Sequence, residues 1–301
     1  MLEIDQIIQD DCLTALTQVP SDYVDLVFTS PPYADNRKTT YKGVPIQQYV
    51  EWFLPISSEL KRVLKPEGSF VLNIKERAVN GERQPYVIEL ILAMRKQGWL
   101  WTEEYIWHKR NCYPGKWPNR FRDAWERCLH FTKQKKFKMY QEAVKIPVGK
   151  WAEKRLAKLS DTDQIRDESH VGSGFGKNIS HWLGKEYAYP TNVLHLATEC
   201  ANRGHSASFP VTLPSWFIKL FTEEGDLVLD PFMGSGTTAI ACVRLRRHYI
   251  GIEAMKRYHD LAINSIEKAR NLLRQSSAVD TAQPVLFDKP AKAEQAWQRS
   301  P

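Results

Sequence analysis

The stretch LVLDPFMGSGTTAIACVRLRRHYIGIE, residues 227–253, runs strand, glycine turn, helix, strand, and only 48 residues follow it. Gly234, Gly236 and Ala239 satisfy a G-x-G-x-x-A spacing, which lets backbone approach a ligand closely at a helix N-terminus. Glu253 ends the second strand, 23 residues after Asp230, where a carboxylate can accept hydrogen bonds from ribose hydroxyls. A nicotinamide enzyme usually starts with such a loop and builds its sheet after it. Here the residues that remain hold one further helix and a tail, so the other strands must lie upstream. The chain therefore reads as an α/β sheet in circularly permuted order, with its first unit last.

The upstream half supplies those strands. VDLVFTS (24–30), GSFVLNI (68–74), WTEEYIW (101–107) and RCLHFTK (127–133) are strand-like, and DLVLD (226–230) and YIGIE (249–253) complete the set. Between them YVEWFLPISSELKRVL has helical spacing, and YVIELILAMRKQG is amphipathic and stops at Gly98. Alternation of this kind predicts a Rossmann-like, mostly parallel sheet with helices on both faces. At 301 residues and 43% hydrophobic content the chain suits one large domain carrying an insertion.

The pattern breaks between Lys133 and Pro190, where twelve Lys/Arg face seven Asp/Glu, a surplus of five out of a net charge of +7. A basic element of this kind grips a polyanion, or else is a solvated insertion with a mobile glycine loop, GSGFGKN (172–178). The expected organisation is 1–132 as one half of the domain, 133–190 as the insertion, 191–271 as the other half and 272–301 as a flexible tail. Five scattered cysteines with no CxxC pair suggest neither a zinc site nor a disulfide framework. The acidic N-terminus and the lack of a long apolar run point to a cytoplasmic protein.

VFTSPPYADNR (27–37) is the second constraint. Ligands of a parallel sheet bind outside the carboxyl ends of its strands, and Ser30, Pro31, Pro32 and Tyr33 leave such an end. Proline fixes φ and removes the N–H, so the two prolines make a rigid turn whose carbonyls point outward with no donors among them. An acceptor-rich cradle beside an aromatic ring suits a planar group bearing an NH2.

SPPY and DPFMGSGTT together, catalytic motif first, resemble the β group of the DNA amino-methyltransferases, which modify N4 of cytosine or N6 of adenine. YIWHKRN (105–111) and HSASFPVTLPSWFIKLF (205–221) are similar to two further motifs of that family, and the likeness extends over residues 4–270. It implies a methyltransferase fold, S-adenosylmethionine as cofactor with S-adenosylhomocysteine as product, no metal, and double-stranded DNA as partner, and it leaves open whether the enzyme is solitary or paired with a separate restriction endonuclease encoded elsewhere. The segment 133–190 then falls where this group carries its target-recognition region.

The same resemblance assigns site residues. Ser30, Pro31, Pro32 and Tyr33 are catalytic: hydrogen bonds from the amino group to Ser30 Oγ and the Pro31 carbonyl localise the nitrogen lone pair for in-line attack on the methyl. The target base is flipped out of the duplex and stacks on Tyr33, so Tyr33→Ala should be severe and Tyr33→Phe mild. Asp11, Phe209, Asp230, Phe232, Gly234, Ser235, Gly236, Thr237, Thr238 and Glu253 surround the cofactor, with Thr237 and Thr238 on its carboxylate and Glu253 on its ribose. Lys109, Arg110, Lys116, Arg120 and Arg122 are candidates for phosphate contacts, and ADNRKTTYKG (34–43) for a polar loop over DNA. A Ser before Pro-Pro-Tyr favours cytosine-N4, with adenine-N6 as the alternative because one acceptor geometry serves both amino groups. A nicotinamide-dependent oxidoreductase or an inactive DNA-binding module is remote, since neither explains SPPY and the permuted order.

Overall fold

The computed structural model describes residues 2–34, 43–112, 115–148, 157–158, 184–198 and 209–279. Eight strands form one sheet: β1 (Gln6–Ile8), β2 (Val24–Thr29), β3 (Leu64–Ile74), β4 (Leu100–Lys109), β5 (Trp125–Thr132), β6 (Val193–Leu196), β7 (Leu227–Asp230) and β8 (His248–Ile252). Their spatial order is β1-β8-β7-β2-β3-β5-β4-β6. All pairings are parallel except those of β5, which runs antiparallel to both β3 and β4.

Among the described residues the helices are α1 (Cys12–Leu16), α2 (Tyr49–Val63), α3 (Tyr86–Lys96), α4 (Thr212–Phe221), α5 (Thr237–Arg244) and α6 (Lys256–Val279). Alternate strand residues face opposite layers. Val27, Phe70, Leu229 and Ile250 join one apolar cluster with α1, α2 and α3. Leu26, Phe28, Val71 and Val228 join the other, with α4, α5 and Ile266 of α6. A strand covered on both faces has no polar side to show, and all six residues of β2 are buried. Helix α3 ends as its sequence demands: Gly98, at φ 85°, takes the left-handed position past the last turn.

The expected α/β fold with helices on both faces is the fold observed, including the permuted order. Strands β7 and β2 are neighbours, paired Val228 to Leu26 and Leu229 to Val27. From β7 the chain crosses through α5 to β8 on one side; from β2 it crosses through α2 to β3 on the other. Their carboxyl ends thus form the switch point at which ligands of open α/β sheets bind.

Three boundaries differ from the expectation. Residues after Lys133 do not leave the domain at once: Tyr140 N–H donates to the Leu220 carbonyl at 2.7 Å, and Val144 is buried in the α4 cluster. Strand β6 pairs with β4 and so extends the part of the sheet built by residues 1–132 instead of that built by 191–271. Helix α6 runs to Val279, so residues 272–279 are helical and not tail. Most of the predicted insertion, its glycine loop, and residues 35–42 of the predicted polar loop lie outside the described residues. Among the described residues no helix is long and apolar enough to cross a membrane.

Candidate active site

Strands β2 and β7 are clamped at both ends. At their amino ends Asp25, buried in an apolar strand, accepts from Leu227 N–H at 3.1 Å and from Lys65 Nζ at 2.7 Å. At their carboxyl ends Thr29 Oγ1 donates to Asp230 Oδ1 at 2.7 Å, across 201 residues of sequence. This sets the SPPY turn beside the glycine turn.

Within the first turn, hydroxyl donors point in one direction. Tyr33 Oη donates to Glu126 Oε2 at 2.7 Å, and Ser30 Oγ to Tyr33 Oη at 3.4 Å. Asn73 Oδ1 lies 3.4 Å from the same phenol. The other oxygen of Glu126 is ion-paired to Lys109 Nζ at 2.5 Å. Burial, and then the Glu126 carboxylate, raise the Tyr33 pKa well above the ordinary phenol value, so the group stays protonated and donating. With its hydrogen directed to Tyr33, Ser30 Oγ keeps its lone pairs as acceptors.

The two proline carbonyls are not equivalent. Tyr49, fully buried on α2, donates to the Pro32 carbonyl at 3.0 Å, so that oxygen faces the core and only the expectation for the Pro31 carbonyl stands. Tyr49 also packs at a tilt against Tyr86 and Trp52, and Trp52 meets Phe232 at 5.8 Å between centroids. An aromatic ladder on α2 and α3 thus supports the Ser30–Tyr33 turn below and the glycine turn beside it.

In the glycine turn, Gly236 has φ 89° and caps α5, a conformation that L side chains resist. Gly234 N–H donates to Glu253 Oε2 at 2.9 Å, and Met255 N–H to Oε1 at 2.9 Å. Glu253 is nearly buried and its pKa is raised, chiefly by desolvation, while each oxygen keeps a further lone pair. Thr237 and Phe232 are half-buried, Ser235 nearly buried. The free amides of the first turn of α5 suit a carboxylate.

Two expected cofactor contacts face inward instead. Asp230 is 1% exposed, and its oxygens accept from Thr29, from Phe232 N–H at 3.1 Å and from Thr238 Oγ1 at 2.6 Å. Thr238 is fully buried by that bond, which leaves Thr237 as the accessible hydroxyl. Asp230 and Thr238 shape the turn without reaching a ligand; burial lifts the Asp230 pKa to about 6 despite its three donors. Asp11 caps α1, its Oδ1 accepting from Leu13 N–H at 2.9 Å. Phe209 packs edge-on against Phe28 at 5.4 Å, half-buried.

The basic candidates divide in the same way. Lys109 is committed to Glu126 and lies over the Trp107 ring at 4.9 Å, so it is a support of Tyr33 instead of a surface cation. Arg120 lies over Trp117 at 5.2 Å and 3.8 Å from Asp123. Arg110, Lys116 and Arg122 are exposed. Glu126, Asn73 and Tyr49 carry the site without having been expected in it. An acid in the half-apolar run WERCLHFT, and an Asn in FVLNI, were the available signals. Among the described residues no group of three or more His, Cys, Asp or Glu is placed to hold a metal ion.

Comparison with known proteins identifies the family. The family model described as DNA methylase, of N6/N4 type, matches residues 24–264. The type II methyltransferase M.PvuII of Proteus hauseri is 30% identical over 271 residues, covering 82% of this chain and 79% of its own. The solved PvuII DNA methyltransferase, cytosine-N4-specific, superposes with TM-score 0.63 at 24% identity, over 89% of this chain and 92% of that one. TTHA0409 of Thermus thermophilus, complexed with S-adenosyl-L-methionine, does so with TM-score 0.57 at 25% identity, over 88% and 93%.

Proposed function

The chain belongs to the N6/N4 DNA methylase family and is thus a DNA amino-methyltransferase, a premise from which we propose that it methylates N4 of cytosine in duplex DNA, using S-adenosylmethionine, at the Ser30–Tyr33 turn. The observation that carries this reading is the one-way hydroxyl chain from Ser30 through Tyr33 to Glu126, which leaves Ser30 Oγ an acceptor at the switch point.

An exocyclic amine has its lone pair delocalised into the ring and is a poor nucleophile. Acceptance of its hydrogens by Ser30 Oγ and the Pro31 carbonyl draws the nitrogen toward tetrahedral geometry and localises that lone pair. The bound cofactor supplies a methyl group activated by its sulfonium. The protein contributes position and electrostatics: the amides at Gly234 to Gly236 and Thr237 would hold the methionine carboxylate end, Glu253 the ribose, and Phe232 with Trp52 an apolar wall. Donor amides for an anion, a carboxylate for hydroxyls and a close-approach glycine turn fit this cofactor. Charge on the amine during transfer lies nearest the acceptors at Ser30 and Pro31, with Glu126 stabilising them through Tyr33. A base inside a duplex cannot reach this turn and must be flipped out. The basic segment 133–190 supports duplex DNA as partner and serves as the target-recognition region.

Cytosine is favoured over adenine by Ser30 as the first residue of the turn and by the M.PvuII relative, a cytosine-N4-specific enzyme. The type II designation of that relative supports a separate restriction endonuclease as partner. The direct test is transfer of a labelled methyl group from S-adenosylmethionine to mixed-sequence duplex DNA, with Ser30→Ala as the control. Transfer by the native protein and its loss in Ser30→Ala is the expected result; undiminished transfer by Ser30→Ala removes Ser30 from the mechanism.

A further inference from the structure

Between β4 and β5 the chain makes a small hairpin, Lys116–Trp117 against Arg120–Phe121, turning at Pro118 and Asn119. Cross-strand partners share a face. Trp117 and Arg120 lie on one, joined by their cation–π contact; Lys116 and Phe121 lie on the other. Phe121 is 84% exposed, the most open large apolar side chain among the described residues, and Trp117 is 54% exposed. A ring held out in water on an ordered ribbon is a cost that folding does not explain.

The ribbon is braced. Asp123 holds Arg83 in a close ion pair and lies 3.8 Å from both Lys75 and Arg120. The side chain of Asn119 lies directly against Gly81 in the neighbouring hairpin, Ala78–Val79 with Glu82–Arg83. Phe121 is thus carried on a rigid element, five residues before the Glu126 that anchors Tyr33. It stands at the same edge of the sheet as Ser30. Lys116, its cross-strand partner, and Arg122, the next residue, flank it, both exposed and with no ion pair among the described residues.

We propose that this hairpin enters a groove of the duplex and that Phe121 inserts into the base stack at the position vacated by the flipped base. A two-stranded ribbon fits a major groove, and apolar wedges that fill or open a base step are a general means of stabilising distorted DNA. The flanking cations neutralise phosphates on either side of the wedge. Flipping breaks stacking and pairing; Phe121 restores stacking to the duplex while Tyr33 receives the extruded base.

This rests on the DNA-methyltransferase reading, and the experiment separates the two. Genomic DNA methylated by the native protein is sequenced to map its site, and two duplexes carrying that site are made, one with the target base paired and one with an abasic site opposite it. Flipping costs less in the second, so a wedge has less to contribute there. Phe121→Ala is expected to lower kcat/KM about tenfold or more on the paired duplex. On the abasic duplex the loss should be under about threefold, with cofactor affinity unchanged. Phe121→Trp should restore most of the activity on the paired duplex, since a larger ring can still stack. Equal losses on the two duplexes, or no loss on either, would overturn the wedge. Failure of the native protein to methylate any DNA would instead remove the parent reading, and the wedge with it.

Discussion

Replacing Tyr33 by Phe deletes one oxygen and leaves the ring, and so separates what the ring does from what the hydroxyl does. The phenol donates to Glu126 at 2.7 Å and receives the Ser30 hydroxyl. A hydrogen bond to a charged group contributes about 1.5–3 kcal/mol. Glu126 keeps Lys109 on its other oxygen, so the carboxylate is not orphaned and the middle of that range, about 2 kcal/mol, applies. For a chain of this size that corresponds to a fall in Tm of about 4 °C. If the bond also orients Ser30 in the transition state, the same energy is about thirtyfold in single-turnover methyl transfer, in place of the mild effect expected when the ring alone is counted. The assay is thermal unfolding together with single-turnover transfer, on Tyr33→Phe, Glu126→Gln and the double variant. The two single changes should be less than additive, because they break one contact. Wild-type stability and turnover in Tyr33→Phe, with loss only in Tyr33→Ala, would refute the chain and restore the ring as the whole role.

Four further outcomes follow from the geometry. Gly236→Ala places a Cβ 3.1 Å from that of Ala262 at a φ of 89°, at a cost of about 1–2 kcal/mol in backbone alone, so both Tm and cofactor affinity should fall. Glu253→Ala should weaken S-adenosylmethionine binding by about tenfold or more, measured by titration calorimetry; unchanged affinity removes its assignment to the ribose. Asp230 has a folded pKa of about 6, raised above its unfolded value, so the folded state binds the extra proton and stability falls as pH rises through roughly 4 to 6, by about 3 kcal/mol in total. The native protein should lose that much stability relative to Asp230→Asn as pH rises over that range, and parallel curves would exclude the linkage. Asp25→Ala leaves the buried Leu227 amide without its acceptor, while Lys65, 40% exposed, can turn to water; it should destabilise by about 1–3 kcal/mol, read by denaturant unfolding.

The central sheet was legible because its strands are long apolar runs closed by turn chemistry. The permuted order followed from the position of one motif near the chain's end. The edge strands β1 and β6, three and four residues long, were not legible, since so short a run has no period to detect. The extent of α6 was missed because its last turns, including the 63% exposed Leu272, carry no apolar stripe. Side-chain direction was the other gap. Lys109 reads like Arg110 in WHKRN, but strand alternation turns it toward Glu126, a partner 17 residues away. Thr238 reads like Thr237, but helical rotation sends it to Asp230. Pro32 reads like Pro31, but its carbonyl meets Tyr49, whose helix the motif does not announce.

The claim at the centre is that Ser30 and the Pro31 carbonyl accept an exocyclic amino group of cytosine. The most direct measurement is to incubate the protein with S-adenosylmethionine and mixed-sequence duplex DNA, digest the product to nucleosides and separate the methylated species by mass. N4-methylcytosine is the predicted product. N6-methyladenine would contradict the base assignment while keeping the amine chemistry, and methylation at a ring carbon would contradict the mechanism itself.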